Sequence, residues 1–260
     1  MDYFEMNRES WDQRAEVHFE SRFYDVDGFL SGNTSLREIE LAELTQVNGR
    51  RLLHLQCHFG LDTLSWARLG AECTGVDISP VAIEKARQLN EKTQLSAKFE
   101  CADVYSYFRG DIDPFDIVFT SYGTICWLPD LDKWAEIVSS NLAMGGRFYM
   151  AEFHPIYDLL AGYAYFGTEE PDVEEEESYT ENSGDLKTPV AVWSHPMSRV
   201  LNALVDAGIA IRCVNEFSYS PYQCFKGMTE REAGRFYITH QGHDVPLVYS
   251  ITGQKVASTP

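Results

Sequence analysis

Residues 52–79, which read LLHLQCHFGLDTLSWARLGAECTGVDIS, decide the fold. They predict a strand over 51–56, a tight turn ending at Gly60, a helix over 61–69 and a second strand over 72–76. Asp77 follows that second strand. A glycine lets such a turn approach a ligand, and an acid about 20 residues later accepts from the hydroxyls of a ribose. The stretch therefore predicts a nucleoside site.

Strands and helices continue to alternate after this stretch. Ser79 and Pro80 predict a helix start, since serine caps helices and proline suits the first helical position. That helix is expected to end at Leu89. Further strands are predicted over 97–101, 115–120 and 147–153, with a helix over 131–142. This order predicts an α/β fold with a parallel sheet, helices on both faces, and function at the carboxyl ends of the strands.

The two ends of the chain do not follow this alternation of strands and helices. The first 47 residues predict an interrupted helical segment, with a second helix over 35–46. After the fifth strand, a helix over 196–207 and a strand over 209–217 are predicted. Residues 236–239 and 247–252 close the chain, and we expect them to be antiparallel.

The turn resembles motif one of class I S-adenosylmethionine-dependent methyltransferases. That motif reads V-L-D-L-G-C-G-T-G and aligns with Leu52–Gly60, and the resemblance covers about 49–153. It implies a Rossmann-like sheet of seven strands, mostly parallel, with an antiparallel strand near the C-terminus. It also implies direct in-line methyl transfer to O or N of a small molecule, with S-adenosylmethionine as cofactor and S-adenosylhomocysteine as product. The implied domains are a helical cap over 1–47 and a methyltransferase domain over 48–260.

The acid and two glycines of the motif are replaced in this sequence. Gln56 and His58 replace two of its three glycines, and His54 replaces its acid. Because Gln56 and His58 carry a Cβ, we expect the backbone to sit farther from the cofactor, with their side chains bonding its methionine end instead. The dinucleotide alternative is weaker, because G-x-G-x-x-G is absent.

The resemblance assigns cofactor contacts to the strand ends and to the cap. Asp77 is the predicted ribose ligand and Asp103 the predicted partner of the adenine amino group. The complete predicted set is Tyr24, Leu55, Gln56, Cys57, Gly60, Asp77, Ile78, Asp103, Val104 and Ser121.

Methyl transfer to a hydroxyl or an amine also needs a group that removes a proton. Three candidates follow predicted strands or precede the next helix at the same edge: His154, His195 and Tyr122. Each has a structural alternative. For His154 it is a solvent-exposed or core-bonded histidine, for His195 a helix cap, and for Tyr122 a packing residue. Glu152 is a weaker candidate base, because an acid at a strand end also binds backbone amides.

Composition excludes several classes of protein. The formal net charge of −19 argues against nucleic-acid binding, which depends on Lys and Arg. The sequence contains no run of about 18 apolar residues, so it predicts no membrane helix. Six cysteines without C-x₂₋₄-C spacing predict no zinc site, and the start of the chain has no signal-peptide pattern. We therefore expect a reduced cytoplasmic protein with a small-molecule partner, with a homodimer left open.

Nine acids and no base lie over 169–185, inside a segment (156–192) that interrupts the alternation. We expect a solvated, partly mobile, lid-like insertion, and a sharper hypothesis is that its carboxylates steer a cationic amine substrate. Two other functions remain open at this point: a non-catalytic S-adenosylmethionine-binding protein, motivated by the altered turn, and a protein methyltransferase.

Overall fold

A seven-stranded sheet forms the centre of the protein, whose computed structural model describes residues 2–108 and 114–257. The strand order is β3-β2-β1-β4-β5-β13-β8. β13 pairs antiparallel with both of its neighbours, and the other strand pairs in the sheet are parallel. The sheet strands are β1 Arg51–Leu55, β2 Glu72–Asp77, β3 Lys98–Cys101, β4 Phe115–Ser121, β5 Leu142–Phe153, β8 Ile209–Phe217 and β13 Val248–Lys255. The predicted sheet is confirmed.

Helices cover both faces of the sheet, and each face has its own apolar core. On one face, Trp134 and Leu204 belong to a core with Leu53 and Met150, whereas on the other Trp66 and Ile83 pack with Leu52. The helices are α1 Tyr3–Phe19, α2 Val26–Leu30, α3 Glu38–Glu43, α4 Leu61–Arg68, α5 Pro80–Thr93, α6 Leu131–Asn141, α7 Ile156–Ala161 and α8 Met197–Asp206. None of the helices in the described residues is long and apolar enough to span a membrane.

Three predicted boundaries differ from the structure. The helix predicted to end at Leu89 continues to Thr93. The helix predicted over 35–46 begins only at Glu38, because the Ser35 amide donates to Ser65 Oγ and so holds this segment against α4. The fifth strand begins at Leu142 rather than 147. Gly145 adopts a φ of 78° and its neighbourhood forms an irregularity within β5, not a turn before it.

The pairing expected at the C-terminal end is wrong. Residues 236–239 do not pair with 247–252, because β13 lies between β5 and β8. The preceding chain instead forms two small hairpins outside the main sheet. These consist of β9 Thr229–Glu232 with β10 Arg235–Tyr237, and β11 Thr239–His240 with β12 His243–Asp244.

The acidic segment contains a hairpin of β6 Asp172–Glu177 and β7 Lys187–Val192, which we call the lid. It packs against α1 of residues 2–47, which we call the cap. Asn7 bonds both the N–H and the C=O of Ala191. Arg14, with its side chain only 2% exposed, pairs with Glu176 at 2.8 Å. These contacts attach the lid to α1.

Three glutamates of α3 attach the cap to the rest of the protein. Glu38 accepts from Tyr219 and Arg235, and Glu43 accepts from Asn215. Glu40 is fully buried and accepts from the hydroxyl of Tyr122 at 3.0 Å. Burial, followed by the nearby Asp62 carboxylate, raises the pKa of Glu40 from 4.5 to about 7.

The buried Glu40 makes stability depend on pH. Its folded-state pKa lies above its unfolded value, so the folded protein holds an extra proton between pH 4.5 and pH 7. The resulting stabilisation is fully present below that window and is lost as the pH rises through it, at about 1.4 kcal/mol per unit and about 3 kcal/mol in all. We expect Glu40→Gln to flatten this decline in urea unfolding measured on both sides of the window.

Glu38→Gln on the same helix is the control for this measurement. The hydrogen bond to Arg235 lowers the pKa of Glu38 to about 2, so this variant should keep the decline. An undiminished slope in Glu40→Gln would contradict the assignment to Glu40.

Candidate functional site

A cavity of about 1760 Å³ opens at the carboxyl edge of the sheet, between the strand ends, the cap and the lid. Pockets for drug-sized ligands usually measure about 300–1,000 Å³, so this cavity has room for two ligands side by side. Its walls include Trp11 from the cap, Asp77 and Asp103 from strand ends, and Glu174 from the lid. The predicted strand-end site therefore exists as a cavity.

The turn after β1 keeps the backbone conformation of a glycine-rich turn without two of the glycines. Gln56 has a φ of 56° and His58 a φ of 51°, both in the left-handed region. For residues with a Cβ this conformation costs roughly 1–2 kcal/mol each. The Gln56 side chain donates to the carbonyl of Thr124 at 2.8 Å, and the His58 ring bonds His18. Both side chains thus fix neighbouring segments to the turn.

Gly60 is required by packing at the same turn. A Cβ at Gly60 would lie 2.5 Å from the ring of Phe99 on β3. Gly75 on β2 is equally restricted, since its Cβ would lie 2.8 Å from Cys57 Sγ and 2.9 Å from Phe99. These close approaches lock the turn against β2 and β3, with Cys57 buried between them.

Asp77 connects the turn to the next strand. Its Oδ2 accepts from the amide of His58 at 2.8 Å, and its Oδ1 accepts from the amide of Ser79 at 2.9 Å. Burial raises its pKa to about 6, and the two amides oppose that rise. Each carboxylate oxygen has two lone pairs, so Asp77 keeps acceptor capacity for a ligand in the cavity.

Asp103 combines a structural contact with a place in the cavity wall. Its Oδ1 accepts from the amide of Tyr105 at 2.9 Å and caps the short 3₁₀ helix Val104–Ser106. Ile78 and Val104 line the same part of the wall and supply apolar surface. This end of the cavity suits a flat, apolar ring with polar edges.

Helix α1 covers the turn. Asp12 accepts from the Ser79 hydroxyl at 2.5 Å, and Trp11 lies edge-on to the His58 ring with centroids 5.2 Å apart. His18 Nδ1 and His58 Nε2 are 2.9 Å apart, and Tyr24 stacks on His18. Burial lowers the pKa of both histidines, that of His18 to about 3, so both rings are neutral.

The end of β4 contributes Ser121 and Tyr122. The Ser121 hydroxyl lies 3.3 Å from Asp62 Oδ2, and the Tyr122 hydroxyl donates to Glu40. Burial, followed by Glu40, raises the pKa of Tyr122 well above its usual range. Tyr122 therefore lines the cavity as a neutral side chain whose hydroxyl donates to the buried Glu40.

His154 has both ring nitrogens engaged in hydrogen bonds, which disfavours the predicted role as general base. Its Nδ1 accepts from the amide of Ile156 at 3.1 Å, and its Nε2 lies 2.9 Å from Glu216 Oε1. No ring lone pair is left for a substrate proton. Glu152 is likewise saturated, because it accepts from the amides of Gly123, Thr124, Ile125 and Phe153.

His195 keeps a lone pair. Its Nε2 donates to the carbonyl of Leu128 at 2.7 Å, which fixes the tautomer and leaves the lone pair on Nδ1. Burial lowers its pKa, so the ring is neutral at neutral pH. Because His195 also lines the cavity, it is the predicted base candidate that the geometry favours.

The cavity brings together most of the residues that the sequence singled out. Leu55 is the exception: it is fully buried and does not line the cavity. The predicted residues that line it are Tyr24, Gln56, Cys57, Gly60, Asp77, Ile78, Asp103, Val104, Ser121, Tyr122, His154 and His195.

Sequence reasoning missed Arg37 and Asp62, which also line the cavity. Asp62 lies two residues after the turn, and this position could have identified it as a site residue. Arg37 precedes a short helix, and nothing in its sequence context pointed to the site.

Residues 52–146 match a family model for the methyltransferase domain. The ubiquinone biosynthesis O-methyltransferase of Coxiella burnetii (strain Dugway 5J108-111) is 28% identical over 105 residues, covering 40% of this chain and 44% of the relative. That of Xanthomonas euvesicatoria pv. vesicatoria (strain 85-10) is 25% identical over 134 residues, covering 50% and 56%. The chain thus spans about half the length of the curated relatives it matches.

Solved structures share the fold over nearly their whole length. An S-adenosylmethionine dependent methyltransferase from Mesorhizobium loti has a TM-score of 0.57 at 21% identity, covering 87% of this chain and 100% of that one. A second, from Clostridium acetobutylicum ATCC 824, has a TM-score of 0.57 at 12% identity, covering 96% and 99%. The matched model and the sheet order agree: residues 52–146 match a methyltransferase domain, and the chain shares its fold with S-adenosylmethionine-dependent methyltransferases.

Proposed function

We propose that this protein transfers a methyl group from S-adenosylmethionine to oxygen or nitrogen of a small molecule. The observation that carries the proposal is the position of Asp77. Its carboxylate lies in the cavity wall at the end of β2, beside the turn that follows β1, and it is held there by the amides of His58 and Ser79.

The cofactor's nucleoside fits the strand ends in their spatial order. Asp103 follows β3, Asp77 ends β2 and the turn follows β1, and these three strands are neighbours in the sheet. Asp77 would accept from the ribose hydroxyls and Asp103 from the adenine amino group, with Ile78 and Val104 against the ring. These contacts support S-adenosylmethionine as the cofactor and S-adenosylhomocysteine as the product.

The enclosure of the cavity supports a small acceptor. α1 and the lid are tied together by Arg14 with Glu176 and by Asn7 with Ala191, and both elements contribute to the cavity wall. A polypeptide or a nucleic acid needs an open groove, and the net charge of −19 opposes phosphate binding. The matched relatives are named for O-methylation, which favours a hydroxyl acceptor here.

The protein itself must position the acceptor and remove its proton. The bound cofactor supplies an activated methyl group, so the cavity must hold the acceptor in line with it, and such positioning contributes several kcal/mol. His195 Nδ1 takes the acceptor's proton, while the Leu128 carbonyl holds the ring in the required tautomer.

The interpretation as a non-catalytic binder drew on the replaced glycines. The left-handed φ of Gln56 and His58 keeps the turn in a glycine-like conformation and gives that interpretation no support. The six cysteines are all free thiols, which supports our proposal of a reducing, cytoplasmic environment.

We expect Asp77→Asn to weaken S-adenosylhomocysteine binding by at least about tenfold in calorimetry, because the ribose loses a charged acceptor. The control is Asp206→Asn, at an exposed position on α8 away from the cavity. Thermal unfolding without ligand separates a binding defect from a folding defect. Unchanged affinity in a folded Asp77→Asn protein would contradict the assignment.

The activity is tested by incubating the protein with S-adenosylmethionine and a panel of phenols, catechols and amines. We expect one acceptor class to gain a methyl group, with an equal amount of S-adenosylhomocysteine formed. Cofactor binding without turnover across the panel would favour the non-catalytic alternative.

With the acceptor found, His195→Gln should lower turnover by about 100-fold or more, since a positioned base contributes that much. The glutamine amide retains a donor for the Leu128 carbonyl but removes the Nδ1 lone pair. Cofactor affinity should stay within about twofold, and the acid limb of the pH–rate profile should disappear. His243→Gln, exposed and outside the cavity wall, is the control. Undiminished turnover in His195→Gln would exclude it as the base.

A further inference from the structure

His54 occupies the position at which motif one has an acid. Its Nδ1 is 2.8 Å from the Thr63 hydroxyl, and its Nε2 is 3.5 Å from the Ser121 hydroxyl. Burial lowers its pKa to about 3, so the ring is neutral. The chain therefore lacks a negative charge at this position.

Asp62 supplies a negative charge close by. It lies in the first turn of α4, where the helix dipole favours an anion, and it lines the cavity. Its Oδ1 accepts from Ser35 Oγ at 2.6 Å, and its Oδ2 lies 3.3 Å from Ser121 Oγ. Ser121 is itself 3.5 Å from His54, so Asp62 stands beside the position that lost its acid.

Arg37 presents the opposite charge to the same part of the cavity. Its guanidinium lies 4.5 Å from the centre of the Tyr222 ring. Its Nε is buried and has no hydrogen-bond partner among the residues that the structure describes. An unsatisfied buried donor is costly, and a carboxylate is the acceptor that a guanidinium binds best. Arg37 and Asp62 line the same cavity, and the field of Arg37, after the hydrogen bond from Ser35, opposes the rise that burial causes in the pKa of Asp62.

Asp62 and Arg37 together match an amino acid head group, which carries an ammonium and a carboxylate on one carbon. Their place fits the amino acid part of S-adenosylmethionine. Asp77 ends β2, whereas Asp62 contacts Ser121 at the end of β4, and β1 lies between these strands. Two strand spacings are about 10 Å, which the cofactor's chain from ribose to α-carbon can span.

We propose that Asp62 and Arg37 form the subsite for the amino acid end of the cofactor, with Asp62 binding the ammonium and Arg37 the carboxylate. The charge that motif one normally carries on β1 has thus moved to α4. This inference rests on the proposed function, since it requires that the nucleoside lies at Asp77.

Calorimetry with three probes tests the subsite without any turnover. S-adenosylhomocysteine has the complete head group, its decarboxylated form keeps only the amine, and methylthioadenosine has neither. We expect Asp62→Asn to weaken S-adenosylhomocysteine and its decarboxylated form by at least about tenfold, and to leave methylthioadenosine within about twofold. Arg37→Gln should weaken S-adenosylhomocysteine alone.

Asp27→Asn, exposed on α2 of the same cap, is the matched control and should change none of the affinities. Equal losses for all three probes in Asp62→Asn would mean a structural role and overturn the proposal. If Asp62→Asn does not fold, the Arg37→Gln comparison decides alone, and unchanged S-adenosylhomocysteine affinity there overturns it.

The wild-type protein separates this inference from the proposed function. Binding of S-adenosylhomocysteine and methylthioadenosine with equal affinity would overturn the subsite and leave the nucleoside site in place. Binding of neither would overturn the proposed function itself.

Discussion

The Asp77 carboxylate is the contact on which the rest of the site depends. By accepting from the amides of His58 and Ser79, it joins the turn after β1 to the corner between β2 and α5. Both amides would otherwise be buried donors at the edge of the sheet, and a charged acceptor satisfies them better than a neutral one. The partly buried carboxylate has a raised pKa because solvent is scarce there, and the same low local dielectric strengthens the hydrogen bonds that it accepts.

The sequence predicted the sheet well because parallel strands that are covered on both faces read as short apolar runs between helices. The strands from β1 to β4 and their helices follow this pattern. The prediction was wrong at 236–252, where an apolar alternation cannot distinguish pairing with the preceding segment from pairing with β5 and β8. That choice depends on contacts between residues about 100 positions apart, such as Ile251 with Met150.

The residues of the candidate site were also predicted only in part. Asp77 and Asp103 could be found because they follow strands directly. The choice between His154 and His195 could not be made, because it depends on the orientation of each ring in the folded protein. Both rings have Nε2 bonded, to Glu216 and to the Leu128 carbonyl, and in His154 the Ile156 amide also occupies Nδ1. Neither Nε2 partner is near its histidine in sequence. Arg37 was missed for the same reason, since the cap brings it to the cavity only in the folded chain, whereas Asp62 lies two residues after the turn and could have been found there.

His58, which replaces a glycine of the motif, gives the turn a side-chain hydrogen bond that a glycine cannot make. His58 Nδ1 is buried and has no partner among the described residues, so a proton there would be an unsatisfied donor. The proton therefore belongs on Nε2, from which His58 donates to His18 Nδ1. His18 in turn donates from Nε2 to Ser178 Oγ, which follows β6 in the lid, at 2.7 Å. These hydrogen bonds connect the lid through the cap to the ring of His58, whose own amide binds Asp77, so the strain of a left-handed histidine is offset by contacts that join the turn to the elements covering it.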